Sequence, residues 1–267
     1  MKKKNTGFLH FLGLLLLLST QAHAFSPGTE TDKRSYYEIK QYHLKSDAQV
    51  QAVDKFLETA YLPALHRAGF FHIGVYHWMG NDTATEKRVY VFIPLHSLED
   101  MNKIEELMMK DKKLQEAGSD YWNAAYNEAP FQRVETTVLK AFPKMPAFKA
   151  PDLKGNKTDR VYELRSYEGP TERLYRQKVD MFNNGGEVAL FKRLQFNAVF
   201  YAEVIAGSHM PNLMYMTSFD NQASRDAHWK AFGSDPEWVR LKGLPQYLNT
   251  VSRADIQLLH PTEFSEL

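Results

Sequence analysis

The chain has 267 residues, 43% of them apolar and 24% charged, a balance that suits a globular protein and excludes a disordered one. With 33 basic against 32 acidic residues it lacks the basic footprint that nucleic-acid binding requires. Cysteine is absent, which excludes a disulfide framework and a cysteine nucleophile.

Residues 1–24 read as a secretory signal. Lys2-Lys3-Lys4 forms a basic start, residues 8–18 are apolar, and Ala22-His23-Ala24 is a small-x-small cleavage site before Phe25. The apolar run is shorter than the ~20 residues that a bilayer-spanning helix needs, so no stable membrane span is expected. The expected location is therefore outside the cytoplasm, periplasmic or extracellular.

From residue 36 the chain alternates as a strand to residue 44, and Ser46 then opens a helix with apolar positions from Val50 to Leu65. Pro63 is expected to end or kink that helix. Residues 70–78 and 88–93 are aromatic and β-branched and should pair as an antiparallel hairpin. Ser97 is placed to cap a second helix carrying Met101, Ile104 and Met108, and residues 131–142 form a fourth strand. Between them, Tyr121, Trp122 and Tyr126 are expected to close an end of the barrel described below. The order is β-α-β-β-α-β, the ferredoxin-like pattern.

Residues 143–160 are rich in proline and lysine without periodicity and read as a linker. The same order then returns over 161–262, with a first helix interrupted at Asn183-Asn184-Gly185-Gly186. The return is visible in the sequence itself. Tyr37-Glu38-Ile39-Lys40-Gln41-Tyr42 reappears as Tyr162-Glu163-Leu164-Arg165-Ser166-Tyr167, at an offset of 162 − 37 = 125. Similar offsets relate Phe70 to Phe196, Tyr90 to Tyr215 and Asp111 to Asp235. The fold class is thus α+β, with two tandem ferredoxin-like units at 36–142 and 161–262. Their strands are too aromatic for an open sheet face to meet water, so the two sheets are expected face to face, as in a dimeric α+β barrel. Two independent domains on a flexible linker are the alternative.

The second unit also carries Pro211-Asn212-Leu213-Met214-Tyr215, Ser224-Arg225-Asp226-Ala227-His228-Trp229 and Asp235-Pro236-Glu237-Trp238. With the Tyr-Glu strand, these resemble the NIPSNAP family, a branch of the dimeric α+β barrel superfamily, well over 160–262 and more loosely over 36–140. The chain departs from it where many members carry His-Leu-Trp after the asparagine and this one has Met214-Tyr215-Met216, so a role for that histidine does not carry over. The resemblance implies the fold and no particular reaction.

If Tyr162 and Leu164 pack beneath the helices, alternation sends Glu163, Arg165 and Tyr167 into the barrel, and by repeat symmetry Glu38, Lys40 and Tyr42 as well. Buried charges must pair or line a wet pocket, so these six residues are either a structural ion-pair network or a ligand site. His72 and His77 have an odd spacing and face opposite ways, and no metal site is expected. No Gly-rich phosphate loop or serine nucleophile motif appears, and no cofactor is implied. Three readings stay open: an exported barrel binding a small apolar or aromatic molecule, a cofactor-free monooxygenase- or isomerase-like enzyme, and a protein-interaction scaffold. A homo-oligomer is compatible with each.

Overall fold

The computed structural model describes residues 34–267, so the expected signal segment lies outside the described residues. The first half supplies β1 (Tyr36–Leu44), α1 (Asp47–Phe56), α2 (Leu62–Arg67), β2 (Gly74–Trp78), β3 (Lys87–Leu95), α3 (Glu99–Lys110), α4 (Lys112–Ala117), α5 (Ser119–Trp122) and β4 (Arg133–Ala141). The second supplies β5 (Val161–Glu168), α6 (Glu172–Asn183), α7 (Glu187–Arg193), β6 (Asn197–Ala206), β7 (Asn212–Phe219), α8 (Gln222–Ser234), α9 (Pro236–Lys242) and β8 (Arg253–Pro261).

All eight strands close into one antiparallel barrel in the order β1-β3-β2-β8-β5-β7-β6-β4. Within the first half the strands run β4-β1-β3-β2, and within the second β8-β5-β7-β6, the same relative order. The halves do more than face each other. β2 pairs with β8 and β4 with β6, so both sheet edges are consumed and one continuous sheet results. This pairing excludes two domains on a flexible linker.

The lumen is packed with rings from both halves. Phe92 stacks on Phe200 at 5.2 Å and 6°, Tyr37 lies 5.3 Å from each of them, and Tyr76 meets Tyr162 at 4.7 Å. An eight-stranded barrel is just wide enough for side chains to fill, and Tyr37, Tyr76, Phe92, Tyr162 and Phe200 fill it. Outside it, α1–α5 cover one arc over Leu44, Val75, Val89 and Val91, and α6–α9 cover another over Phe142, Tyr201, Leu213 and Tyr215. The linker is not loose. Phe148 and Leu153 pack against the lumen cluster, and Lys149 N donates to Val199 O at 2.9 Å.

Several local devices occur once in each half. Ser46 accepts from Gln49 N to cap α1, and Thr171 accepts from Leu174 N to cap α6. Asp111 caps α4 while bound by Arg67 at 2.7 Å, and Asp235 caps α9 while bound by Arg193 at 2.8 Å. Phe70 N donates to Leu65 O, and Phe196 N to Phe191 O, each after a residue in the left-handed region, Gly69 or Gln195.

Two expectations need correction and one is met in part. The α-helical ladder is interrupted just before Pro63, as expected, but the chain stays helical: Leu57–Tyr61 form a π turn, with Leu62 N donating to Leu57 O, and this widened turn places Pro63 at the start of α2, where its missing N–H leaves nothing unsatisfied. Ser97 is not the cap of α3. The buried Asp100 carboxylate accepts from His96 N and Ser97 N instead. Tyr90 and Tyr215 are not equivalent, since Tyr90 belongs to the lumen and Tyr215 to the second helix layer. Strand register gives the counterpart of Tyr215, opposite Arg165, as Val91, opposite Lys40.

Candidate functional site

The face assignment read from the sequence is reversed. Tyr162 and Leu164 point into the lumen with Tyr37 and Ile39, so Glu163, Arg165 and Tyr167, and likewise Glu38, Lys40 and Tyr42, lie between barrel and helices. The physical reason is that the middle of the lumen is filled by rings, whereas the helix side chains over Glu163 supply donors for its charge. The six residues therefore form two groups of three beneath different helix layers. Arg165 meets Glu163 and Tyr167, but not Glu38 or Tyr42.

In the second half the carboxylate is fully enclosed and saturated. Glu163 is 0% exposed, and its Oε1 accepts from Arg165 Nε at 2.6 Å and pairs with its second nitrogen at 2.5 Å. Its Oε2 accepts from Arg225 Nε and from Trp229 Nε1, each at 2.7 Å. Arg225 and Trp229 are i, i+4 on α8 and so share the face that meets the sheet. Arg165 also stacks on the Trp229 ring at 3.6 Å and donates to the Tyr167 hydroxyl at 3.0 Å, which lies 2.9 Å from that of Tyr215. Burial works against the Arg165 charge, but the oxygens of Tyr215, Tyr167 and Glu163 outweigh it and hold its pKa above the ordinary value. Beside this lies a second buried pair, Lys178 with Glu187 at 2.8 Å. Burial raises the Glu187 pKa against the opposing pull of Lys178 and Arg165. These groups partner one another, which is the chemistry of a structural network.

In the first half the same strand position is left open. Glu38 is 2% exposed, and its Oε1 pairs with Lys40 Nζ at 2.6 Å. Among the described residues its Oε2 has no hydrogen-bond partner. Above it lies a cavity of about 770 Å³ between the outer face of β1 and β4 and helix α3. Glu38, Lys40 and Tyr42 form part of its floor, Met101, Ile104, Glu105 and Met108 descend from α3, Tyr61 and Tyr121 close one side, and Ile205 reaches in from β6. The Tyr61 hydroxyl is buried without a partner. Burial first, and then neighbouring charge including Glu38, drives the Tyr61 pKa well above its ordinary value. Burial likewise pushes Tyr121 up to about 12, partly opposed by its hydrogen bond with Tyr42. At neutral pH these are neutral phenols able to donate or accept. Tyr121 does not close a barrel end as the sequence suggested: its ring stacks on Phe56 at 3.8 Å, and Tyr126 is 98% exposed.

The sequence reading missed Tyr61, Met101 and Met108 on the first side, and Arg225 and Trp229 on the second. The signal was present as helical spacing: Met101, Ile104, Glu105 and Met108 fall on one face of α3.

The comparisons with known proteins divide along the same line. Residues 162–266 match the NIPSNAP family model. The match covers the second half of the barrel and stops short of the first. No curated protein matches the chain. In fold, the chain is similar to a monooxygenase-like protein of Fusobacterium nucleatum, with 8% identity, 85% of this chain and 92% of that one covered, and a TM-score of 0.59. It is also similar to a monooxygenase-like protein of Lactobacillus acidophilus, with 10% identity, 85% and 94% covered, and a TM-score of 0.55. An anthrone oxidase-like protein aligns with 10% identity, 86% and 92% covered, and a TM-score of 0.52. These likenesses extend across residues 162–266 and the half before them, and carry the α+β barrel fold alone. The Glu163 network lies inside the residues that match the family model, while the open cavity lies in the half that the model leaves unmatched.

Proposed function

We propose that the protein binds a small, largely apolar molecule in the first-half cavity, between the outer face of β1 and β4 and helix α3. The observation that carries this reading is the contrast at one strand position: Glu163 is saturated by Arg165, Arg225 and Trp229, whereas Glu38 keeps an unpartnered oxygen on a cavity of about 770 Å³. Concave, mostly apolar sites of ~300–1,000 Å³ with a few convergent polar groups are the usual form of a small-molecule site. The two halves are read as a tandem repeat of ferredoxin-like units, spanning 36–142 and 161–262 and joined by 143–160. Their common strand order and their paired caps support that reading. The repeat lets one half stabilise the barrel while the other keeps a cavity. The lysine-rich start and the Ala22-His23-Ala24 site support export of the mature chain, checked by N-terminal sequencing, with an intact Met1 on the cellular protein as the contrary result.

Fluorescence titration with the neutral dye N-phenyl-1-naphthylamine tests the cavity. Saturable binding by the wild-type chain, abolished in Met108→Trp and Ile104→Trp, supports the site. Equal binding in both filled variants would place the dye elsewhere and refute it.

A further inference from the structure

We infer that the occupant of the first-half cavity carries a cationic, hydrogen-bond-donating head on an apolar body, and that this head takes the free oxygen of Glu38. The inference rests on the cavity reading above and specifies its ligand class. It follows from what the second half does at the equivalent place. Asp111 and Asp235 close α3 and α8 at a spacing of 235 − 111 = 124 residues, and the same spacing carries Arg225 onto Met101 and Trp229 onto Glu105. Both Met101 and Glu105 line the cavity. The guanidinium and the indole N–H that α8 delivers to Glu163 Oε2 thus have no counterpart on α3, which presents a thioether and a second acid instead.

The carboxylate itself has stayed. Glu38 is 2% exposed and its partner at Oε1 is the single ammonium of Lys40, so among the described residues Oε2 is left without a protein donor on the cavity side. The charged lining adds up to Glu38 and Glu105 against Lys40, one negative charge in excess. An anionic head would meet that excess, and a purely apolar ligand would seal the Glu38 oxygen away from water without replacing it. A cationic head supplies the missing donor, and Tyr42, Tyr61 and Tyr121 line the same cavity around it. The methionines accommodate the apolar body without fixing its shape.

The test is competition against bound N-phenyl-1-naphthylamine by three probes that share a ring system: 1-naphthylmethylammonium, 1-naphthylmethanol and 1-naphthoate. The ammonium should displace the dye from the wild-type chain at concentrations roughly tenfold or more below those of the naphthoate, the range expected of a charge-assisted hydrogen bond. Glu38→Gln should erase that preference while dye binding persists, and dye binding doubles as the check that the variant is folded. If Glu38→Gln fails to fold beside an unpaired Lys40, the Glu38→Gln/Lys40→Met pair keeps the test alive, with the same loss of preference expected. Naphthoate competing as well as the ammonium, or an ammonium preference surviving in the variants, overturns the cationic head and leaves the cavity reading intact. Failure of the dye to bind the wild-type cavity overturns both.

Discussion

Glu38 and Glu163 begin from the same short sequence and end in opposite circumstances. Each sits on the first strand of its half, two residues before a base and four before a tyrosine, and each is turned toward its helix layer. Glu163 is closed over by a helix bearing Arg225 and Trp229, and Glu38 lies under a helix bearing Met101 and Glu105. The difference shows that the strand motif alone does not make a site. The facing helix decides whether the carboxylate becomes a structural hub or a wall of a cavity.

The largest effect should come from breaking the hub. Arg165→Met leaves Oε1 of a fully enclosed carboxylate without a donor while Arg225 and Trp229 still hold Oε2, and should cost about 3 kcal/mol in denaturant unfolding. Replacing both partners, Glu163→Leu with Arg165→Met, should recover only part of this, because Trp229 Nε1 loses its acceptor and a buried unsatisfied donor costs ~1–3 kcal/mol. An Arg165→Met protein as stable as wild type would mean that the network contributes nothing.

The equivalent change in the first half should be milder. Lys40→Met removes the single base from Glu38, but the cavity lets water reach the carboxylate, so a loss of ~1–2 kcal/mol is expected by the same measurement. A loss equal to that of Arg165→Met would show that Glu38 is as dry as Glu163, and would erase the contrast.

How much of this was legible in the sequence follows from the strands themselves. The spacing from Tyr37-Glu38 to Tyr162-Glu163 exposed the repeated order, and the alternation of both segments marked them as strands. The inward face was not legible, because both faces of these strands are buried. Tyr37 and Ile39 pack in the lumen while Tyr42 packs under α1 and α2, so hydrophobicity on either side of Glu38 and Lys40 gives no direction. The offset between repeats also drifts: an offset of 125 sets Tyr90 against Tyr215, yet a shift of one residue sends a strand side chain to the other face, and Val91 holds that place. Pro63 was informative only in part. A breaker signals only that the i to i−4 ladder must change, and a π turn changes it without ending the helix.

The contrast can also be sharpened by converting one half toward the other. Met101→Arg puts a guanidinium where α8 carries Arg225, so Glu38 should gain a second base. Thermal unfolding should show a gain of ~0.5–2 kcal/mol, the usual return for filling a cavity with a compatible group, and N-phenyl-1-naphthylamine binding should fall. Stabilisation without loss of dye binding would mean that the introduced guanidinium reaches solvent instead of Glu38.

The smallest expected effect concerns a feature that the halves share. Asp111 and Asp235 each cap a short helix and each hold an arginine. Backbone donation from Leu114, then Arg67, lowers the Asp111 pKa, and Arg193 first, then the Glu237 N–H, lowers that of Asp235. A carboxyl whose folded pKa lies below its unfolded value, about 3.9 for aspartate, stabilises the fold above that value and loses the contribution as pH falls through the folded one. The melting temperature of the wild-type chain should therefore drop as pH falls below about 4. Asp111→Asn and Asp235→Asn should each start lower at neutral pH and show a shallower drop, so that their curves approach the wild type in acid. Because the clamp is built the same way in both halves, the two variants should behave alike. A pH response confined to one of them would show that the repeat preserves the geometry of the clamp but not its electrostatics.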